Sequence, residues 1–273
     1  MISPLGFFNR PWVRLPLSEE LDAIAATGTS HLGLLGRPGG GAWVDWDTPA
    51  EDLDALAQEV SQRGLRLHAV RAGVHFDVPF GEAVSRYRAF IDRAAALGVR
   101  HLLEMGAHDP DKYPFYFDVM KAVAPYAQDK GLIIGVKPHG GLTTSGKDTA
   151  DAVKRVDHPA YRLWYDPGNI LFYKQLDPVA EVEHVKGLAA GVCVKDCLID
   201  AEGRPSVQVT PGEGQVDFEG VFRALVDGGF AGGPCLVETL GPEDPHEAIQ
   251  AGKRALDYIA GVMSAVGLTP SLD

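Results

Sequence analysis

Short apolar runs alternate along the whole chain with longer stretches in which apolar residues recur every three or four positions. Runs of this length, bounded by Gly, Pro or a charge, read as strands buried on both faces. The stretches between them read as helices with one apolar stripe. Eight runs fit: residues 4–8, 31–35, 65–70, 101–104, 132–137, 161–166, 192–196 and 234–238. Helical stretches include 51–63, 83–97, 116–130, 178–188, 218–227 and 245–262. Strand and helix in strict alternation imply a parallel sheet. Eight such units in 273 residues predict a single α/β domain spanning residues 1–273, a (β/α)8 TIM barrel.

The connections differ on the two faces. Gly64, Gly98 and Gly131 each stand directly before a strand, where a helix ends in the left-handed conformation. The loops after strands are long and polar: 37–49, 71–80, 105–114, 140–147 and 197–217. That asymmetry places a functional site at the C-terminal mouth. An open doubly wound sheet is the structural alternative, but no Gly-x-Gly-x-x-Gly follows a first strand, so no nucleotide cofactor is expected.

Several runs end in a polar or charged residue. In order these are His68, Glu104, Lys137 with His139 just beyond, Asp166, Lys195 with Asp196, and Glu238. Charges at the ends of buried strands are costly unless they share a solvated or metal-bearing site. Strand periodicity puts Trp164 with Asp166, Gly135 with Lys137 and Cys193 with Lys195 on common faces, so Lys137, Asp166, Lys195 and Glu238 converge if they face inward. In Asp166-Pro167-Gly168-Asn169 the acid has two readings of equal weight, a turn initiator and a group delivered to the mouth.

Composition narrows the partners. With 25 Lys+Arg against 37 Asp+Glu the net charge is -12, which repels a nucleic-acid backbone. No apolar run approaches the roughly 20 residues of a membrane span, and no signal peptide opens the chain, so a cytoplasmic protein without a membrane partner is expected. Cys193, Cys197 and Cys235 form neither a metal pair nor an even framework and read as reduced thiols. Assembly into a homo-oligomer stays open.

Four motifs stand in fixed order between Gly98 and Glu238. They are Asp166-Pro167-Gly168-Asn169, Val194-Lys195-Asp196, Pro211-Gly212-Glu213-Gly214-x-Val216-Asp217-Phe218 and Leu236-Val237-Glu238. Together they resemble the xylose-isomerase-like superfamily of sugar isomerases and epimerases, which also holds inosose dehydratases and endonuclease IV. The resemblance implies a small carbohydrate substrate, proton transfer between adjacent carbons, and one divalent metal held by Glu, Asp, His and Glu. Asp166 and Glu238 fall on two ligand positions; the other two are Lys137 and Cys193, and a protonated lysine cannot ligate a cation.

Three accounts follow. In the first, Asp166, Glu238 and His139 hold Mn, Zn, Co or Mg, with Glu104 a further donor. In the second, Lys137 replaces the metal as counter-ion and electrophile. In the third, the barrel only binds carbohydrate. Lys137, Glu238 and Glu104 are the candidate catalytic residues, and His68, Asn169, Lys195 and Asp196 the candidate substrate contacts. A metal-assisted isomerase or epimerase is favoured, a dehydratase or lyase on a keto-sugar or inosose is the rival chemistry, and an endonuclease is disfavoured by the acidic surface.

Overall fold

A computed structural model describes residues 2–273. In chain order the elements are β1 (Ile2–Phe8), α1 (Leu17–Ala26), β2 (His31–Leu34), α2 (Ala50–Gln62), β3 (Arg66–Arg71), α3 (Phe80–Ala96), β4 (His101–Glu104), α4 (Tyr113–Asp129), β5 (Ile133–Val136), α5 (Gly146–Val156), β6 (Tyr161–Tyr165), α6 (Pro167–Lys174), α7 (Pro178–Val185), β7 (Ala189–Val194), β8 (Leu198–Ile199), β9 (Pro205–Ser206), α8 (Phe218–Asp227), β10 (Cys235–Val237), α9 (Pro245–Ala265) and β11 (Thr269–Ser271). Neighbouring strands β1 to β7 pair in sequence, all parallel, and β10 closes the ring between β7 and β1. This is the expected (β/α)8 barrel. The eight runs each carry a barrel strand, and the three junction glycines have φ between +67° and +74°.

Helices α1, α5 and α6 lie outside the stretches singled out above, and α5 begins within the expected loop 140–147. The start of α5 is fixed by the Ser145 hydroxyl, which accepts from Asp148 N at 3.0 Å. Loop 197–217 carries the small antiparallel β8–β9 hairpin. Strand β11 pairs with the first residues of β1, at the opposite end of the barrel from the mouth. Among the described residues no helix is long and apolar enough to cross a membrane.

Alternate strand residues divide between two cores. Phe8, Leu35, Ala69, Leu103, Trp164, Cys193 and Leu236 fill the barrel interior, while their neighbours Phe7, Leu34, Val70, Leu102, Tyr165, Val194 and Val237 pack with the helices. The Trp164 indole lies across the interior. A Cβ on Gly135 would stand 2.3 Å from its Cδ1, and one on Gly191 would stand 2.6 Å from its Cε2. Glycine is therefore required on β5 and β7 beside this ring. Lys137 and Cys193 follow those glycines by two residues, so the same inward parity puts them one layer nearer the mouth.

Candidate active site

The end of β6 builds the centre. Asp166 is the N-cap of α6, with Pro167 at the first helical position, where its missing N–H costs nothing. Its Oδ1 accepts from Asn169 N at 3.0 Å and its Oδ2 from Lys137 Nζ at 3.0 Å and Lys195 Nζ at 3.2 Å. Both readings of Asp166 thus hold, one on each oxygen. Asn169 donates to Pro138 O at 2.7 Å and accepts from Lys195 Nζ at 3.1 Å, which ties α6 to the ends of β5 and β7.

Glu238, just beyond β10, completes the cluster. Its Oε2 accepts from Lys137 Nζ at 2.5 Å; its Oε1 accepts from Lys195 Nζ at 2.8 Å and from Arg10 at 3.1 Å. Lys137, Asp166, Lys195 and Glu238 are all buried, whereas the Arg10 side chain is 43% exposed. Burial works against the Glu238 carboxylate, but Lys137, Lys195 and Arg10 outweigh it and hold the group well below the usual carboxylate range. Burial likewise works against the Lys137 charge, and Cys193, Glu238 and Asp166 act in the other direction and raise its pKa; with the Cys193 thiol protonated, the two carboxylates are what hold the ammonium charged at neutral pH. A cleft of about 210 Å³ lined by Arg10, Arg14, Gln208, Glu238 and Thr239 opens onto the cluster. That is below the roughly 300 Å³ at which pockets for drug-sized ligands begin, so the cleft suits a small molecule.

A carboxylate oxygen each of Asp166 and Glu238 and the Cys193 sulfur lie within 4.8 Å of one another, a spacing at which three donors can hold an ion. The donor chemistry does not fit a divalent cation. Lys137 Nζ already bonds both carboxylates, and burial pushes the Cys193 thiol above the ordinary range, so a cation here would have to displace both the ammonium and the thiol proton. His139 is outside that donor group. Burial, then the charges of Lys137 and Lys195, lower its pKa to about 3, and its buried Nδ1 has no hydrogen-bond partner among the described residues. Of the expected ligand set, Asp166 and Glu238 lie in the candidate donor group, where Lys137 bridges them, and His139 lies outside it.

Three further expectations are corrected. Glu104 follows the inward-facing Leu103 and so points outward, where Tyr87 of α3 donates to its Oε1 at 2.9 Å. It belongs to the strand–helix layer and not to the mouth. His68 lies toward the other end, its Nε2 2.8 Å from Nδ1 of His31, whose other ring nitrogen, Nε2, lies 3.4 Å from Ser271 Oγ of β11. Asp196, next to the inward Lys195, turns away, and its carboxylate accepts four backbone N–H groups, from Cys197, Gly212, Gly214 and Val216, at 2.8–3.0 Å. Its oxygens are committed to folding the Pro-Gly-Glu-Gly loop. A Cβ at Gly214 would lie 2.3 Å from Asp196 Oδ1, which explains the glycine.

The position of Glu104 yields a test. Burial raises its pKa to about 7, so between the ordinary value of 4.5 and 7 the folded state binds more protons than the unfolded one. Stability should therefore fall as pH rises through that window, by at most about 3 kcal/mol. Glu104→Gln is expected to be about 1–3 kcal/mol more stable than the parent at pH 8, near parity at pH 4.5, and as active as the parent. Chemical denaturation at the two pH values checks this. Glu20, also raised to about 7 by burial, should leave a smaller residual slope in the variant.

The sequence reading missed Arg10 and Tyr173. Arg10 follows β1 directly after Asn9, the same strand-then-charge arrangement as elsewhere, one residue later than the apolar run suggests. Tyr173 sits in α6 near His139, with ring centroids 6.2 Å apart; burial comes first in raising its hydroxyl pKa, and the charges of Lys137, Asp166, Arg10 and Glu238 also act on it.

A parallel barrel whose mouth gathers acids and lysines from its last four strands defines a class of small-molecule TIM-barrel proteins. The family model described as xylose isomerase-like TIM barrel matches residues 21–259, and the chain belongs to that family. An L-ribulose-5-phosphate 3-epimerase of Salmonella heidelberg is 24% identical over 97% of this chain and 96% of its own length. Among solved structures, a D-psicose 3-epimerase from Clostridium cellulolyticum superposes with a TM-score of 0.74 at 14% identity, covering 95% of this chain and 99% of that one. A probable 3-DHS dehydratase from Bacillus anthracis superposes at 0.68 with 13% identity, over 95% and 99% of the two chains.

Proposed function

We propose that this protein is an epimerase or isomerase of a small keto-sugar, acting by proton transfer at the carbon next to the carbonyl. The observation that carries the reading is the buried cluster of Lys137, Asp166, Lys195 and Glu238 at the mouth, in which Glu238 is held ionised and also lines the cleft. The relative that is a sugar-phosphate 3-epimerase, matched over nearly its whole length, supports the substrate class.

In this mechanism the Glu238 carboxylate takes the proton from carbon. The electron pair of that C–H bond becomes the C=C bond of an enediolate, and the carbonyl oxygen gains the negative charge. Lys137 and Lys195 supply two ammonium groups beside the base to offset it, the electrostatic role that is worth most in a water-excluded site. Proton return to the neighbouring carbon gives an isomer; return to the opposite face of the first carbon gives an epimer. General acid–base work of this kind supplies about 10²- to 10⁴-fold. Substrate reaches Glu238 past Arg10.

The dehydratase reading begins with the same proton abstraction and then loses hydroxide. Incubating the protein in D2O with a panel of ketopentoses, ketohexoses and their phosphates, and following products by NMR and mass spectrometry, separates the two. Deuterium incorporated next to the carbonyl with the elements of water retained is expected. Loss of water from every turned-over substrate would replace the epimerase reading with the lyase one, and no exchange into any sugar would remove both.

A further inference from the structure

We propose that Lys137 Nζ is this barrel's built-in cation, standing where a divalent ion would otherwise sit, and that residues 137 and 193 together decide which of the two the mouth holds. The inference concerns the site of the proposed reaction, but it does not require that reaction.

Geometry is the first support. Asp166, Cys193 and Glu238 offer donor atoms within 4.8 Å of one another, so the space between them has the dimensions of an ion site. Lys137 Nζ bonds two of those three residues, at 3.0 Å and 2.5 Å, with its side chain fully buried. An ion bound to the same carboxylates would have to displace the ammonium, and the amine has no solvent to retreat into. Below it the Trp164 ring fills the barrel against Gly135, which blocks a move deeper along β5.

Charge is the second support. Lys137, Lys195 and Arg10 already face Asp166 and Glu238, three cations against two carboxylates. A divalent ion added to that excess would place two more positive charges among buried groups, which low-dielectric surroundings penalise heavily. Exchanging Lys137 for glutamate turns the balance to two cations against three carboxylates, and a divalent ion then relieves the excess. Exchanging Cys193 for histidine replaces one donor of the group with a neutral nitrogen that, unlike a thiol, needs no deprotonation at pH 7.

The test compares the parent protein with Lys137→Glu/Cys193→His, both purified without chelator. Mn2+ is measured by elemental analysis after dialysis against excess MnCl2, and Co2+ by calorimetry and visible absorption; circular dichroism reports folding. The parent is expected to retain no stoichiometric ion and the double variant one ion per chain. One tightly held Mn2+ or Co2+ per parent chain would overturn the proposal, as would a folded double variant that takes up neither. If the double variant does not fold, the single variant Lys137→Glu, which alone turns the balance to two cations against three carboxylates, takes its place: Co2+ uptake absent from the parent is then expected, and none overturns the assignment. Because metal content is read without substrate, a wrong reaction and a wrong cation give different results.

Discussion

Glu238→Gln should lower turnover by about 10²- to 10⁴-fold, the span general base catalysis covers, with deuterium wash-in lost in parallel. Glutamine keeps the shape of the side chain and one carbonyl acceptor, so the loss reports the missing base. The parent's pH profile provides an independent check. Because its lysine and arginine partners hold Glu238 well below the usual range despite burial, the base is charged throughout neutral pH. The acid limb of kcat/KM should therefore lie below about pH 4.5, the region of ordinary carboxylates, and be missing at pH 6–8. An acid limb centred near 7 that survives in Glu238→Gln would move the base elsewhere. The variant also leaves Lys137, Lys195 and Arg10 facing Asp166 alone, so its stability should fall as well, and assays belong well below its melting temperature.

The barrel was legible because its physics is periodic. Buried parallel strands are near-continuous apolar runs, and the eight runs each found a strand. The convergence of Lys137, Asp166, Lys195 and Glu238 followed from strand parity, anchored by the inward Trp164 and Cys193. The same assumption failed at β4, where Leu103 takes the inward place and Glu104, one residue on, is forced outward against Tyr87. A four-residue run with apolar residues on both faces has no signal for which face is which. His68 misled because it ends no strand: Ala69, Val70 and Arg71 follow it, and its partner His31 opens β2.

Other features were not legible for want of long-range information. Nothing local shows that the Asp196 carboxylate would be enclosed by amides 16, 18 and 20 residues later. Arg10 was passed over because β1 ends in phenylalanine, yet it reaches Glu238 across 228 positions of sequence, since closing the ring brings the first and last barrel strands side by side. Residue types alone favoured a metal held by Asp166, Glu238 and His139 over Lys137 as the cation. Distances from one ammonium to two carboxylates are what weigh toward the lysine.

Lys137→Met is expected to destabilise the fold by about 3–5 kcal/mol at pH 7–8, the usual result of removing one partner from a buried ion pair. Methionine fills nearly the same volume, so cavity formation is a minor part of the effect. Two cations then remain for two carboxylates, but Glu238 Oε2 loses the donor that Lys137 supplies, a desolvated oxygen left without a partner. The pH dependence tests this cause. In the parent, a Glu238 pKa depressed below its unfolded value contributes stability that is present above about pH 4.5 and lost as pH falls through the folded value. In the variant that depression shrinks, so the gap between the two proteins should be widest and level at neutral pH and narrow only as the medium is acidified below about pH 4.5. Urea titrations at several pH values measure it. An equal gap at every pH would assign the loss to packing, and no gap at all would mean that Lys137 does not compensate the carboxylates. Turnover should fall together with stability at neutral pH, because in the proposed mechanism the ammonium that balances Glu238 in the resting site also offsets the charge of the enediolate.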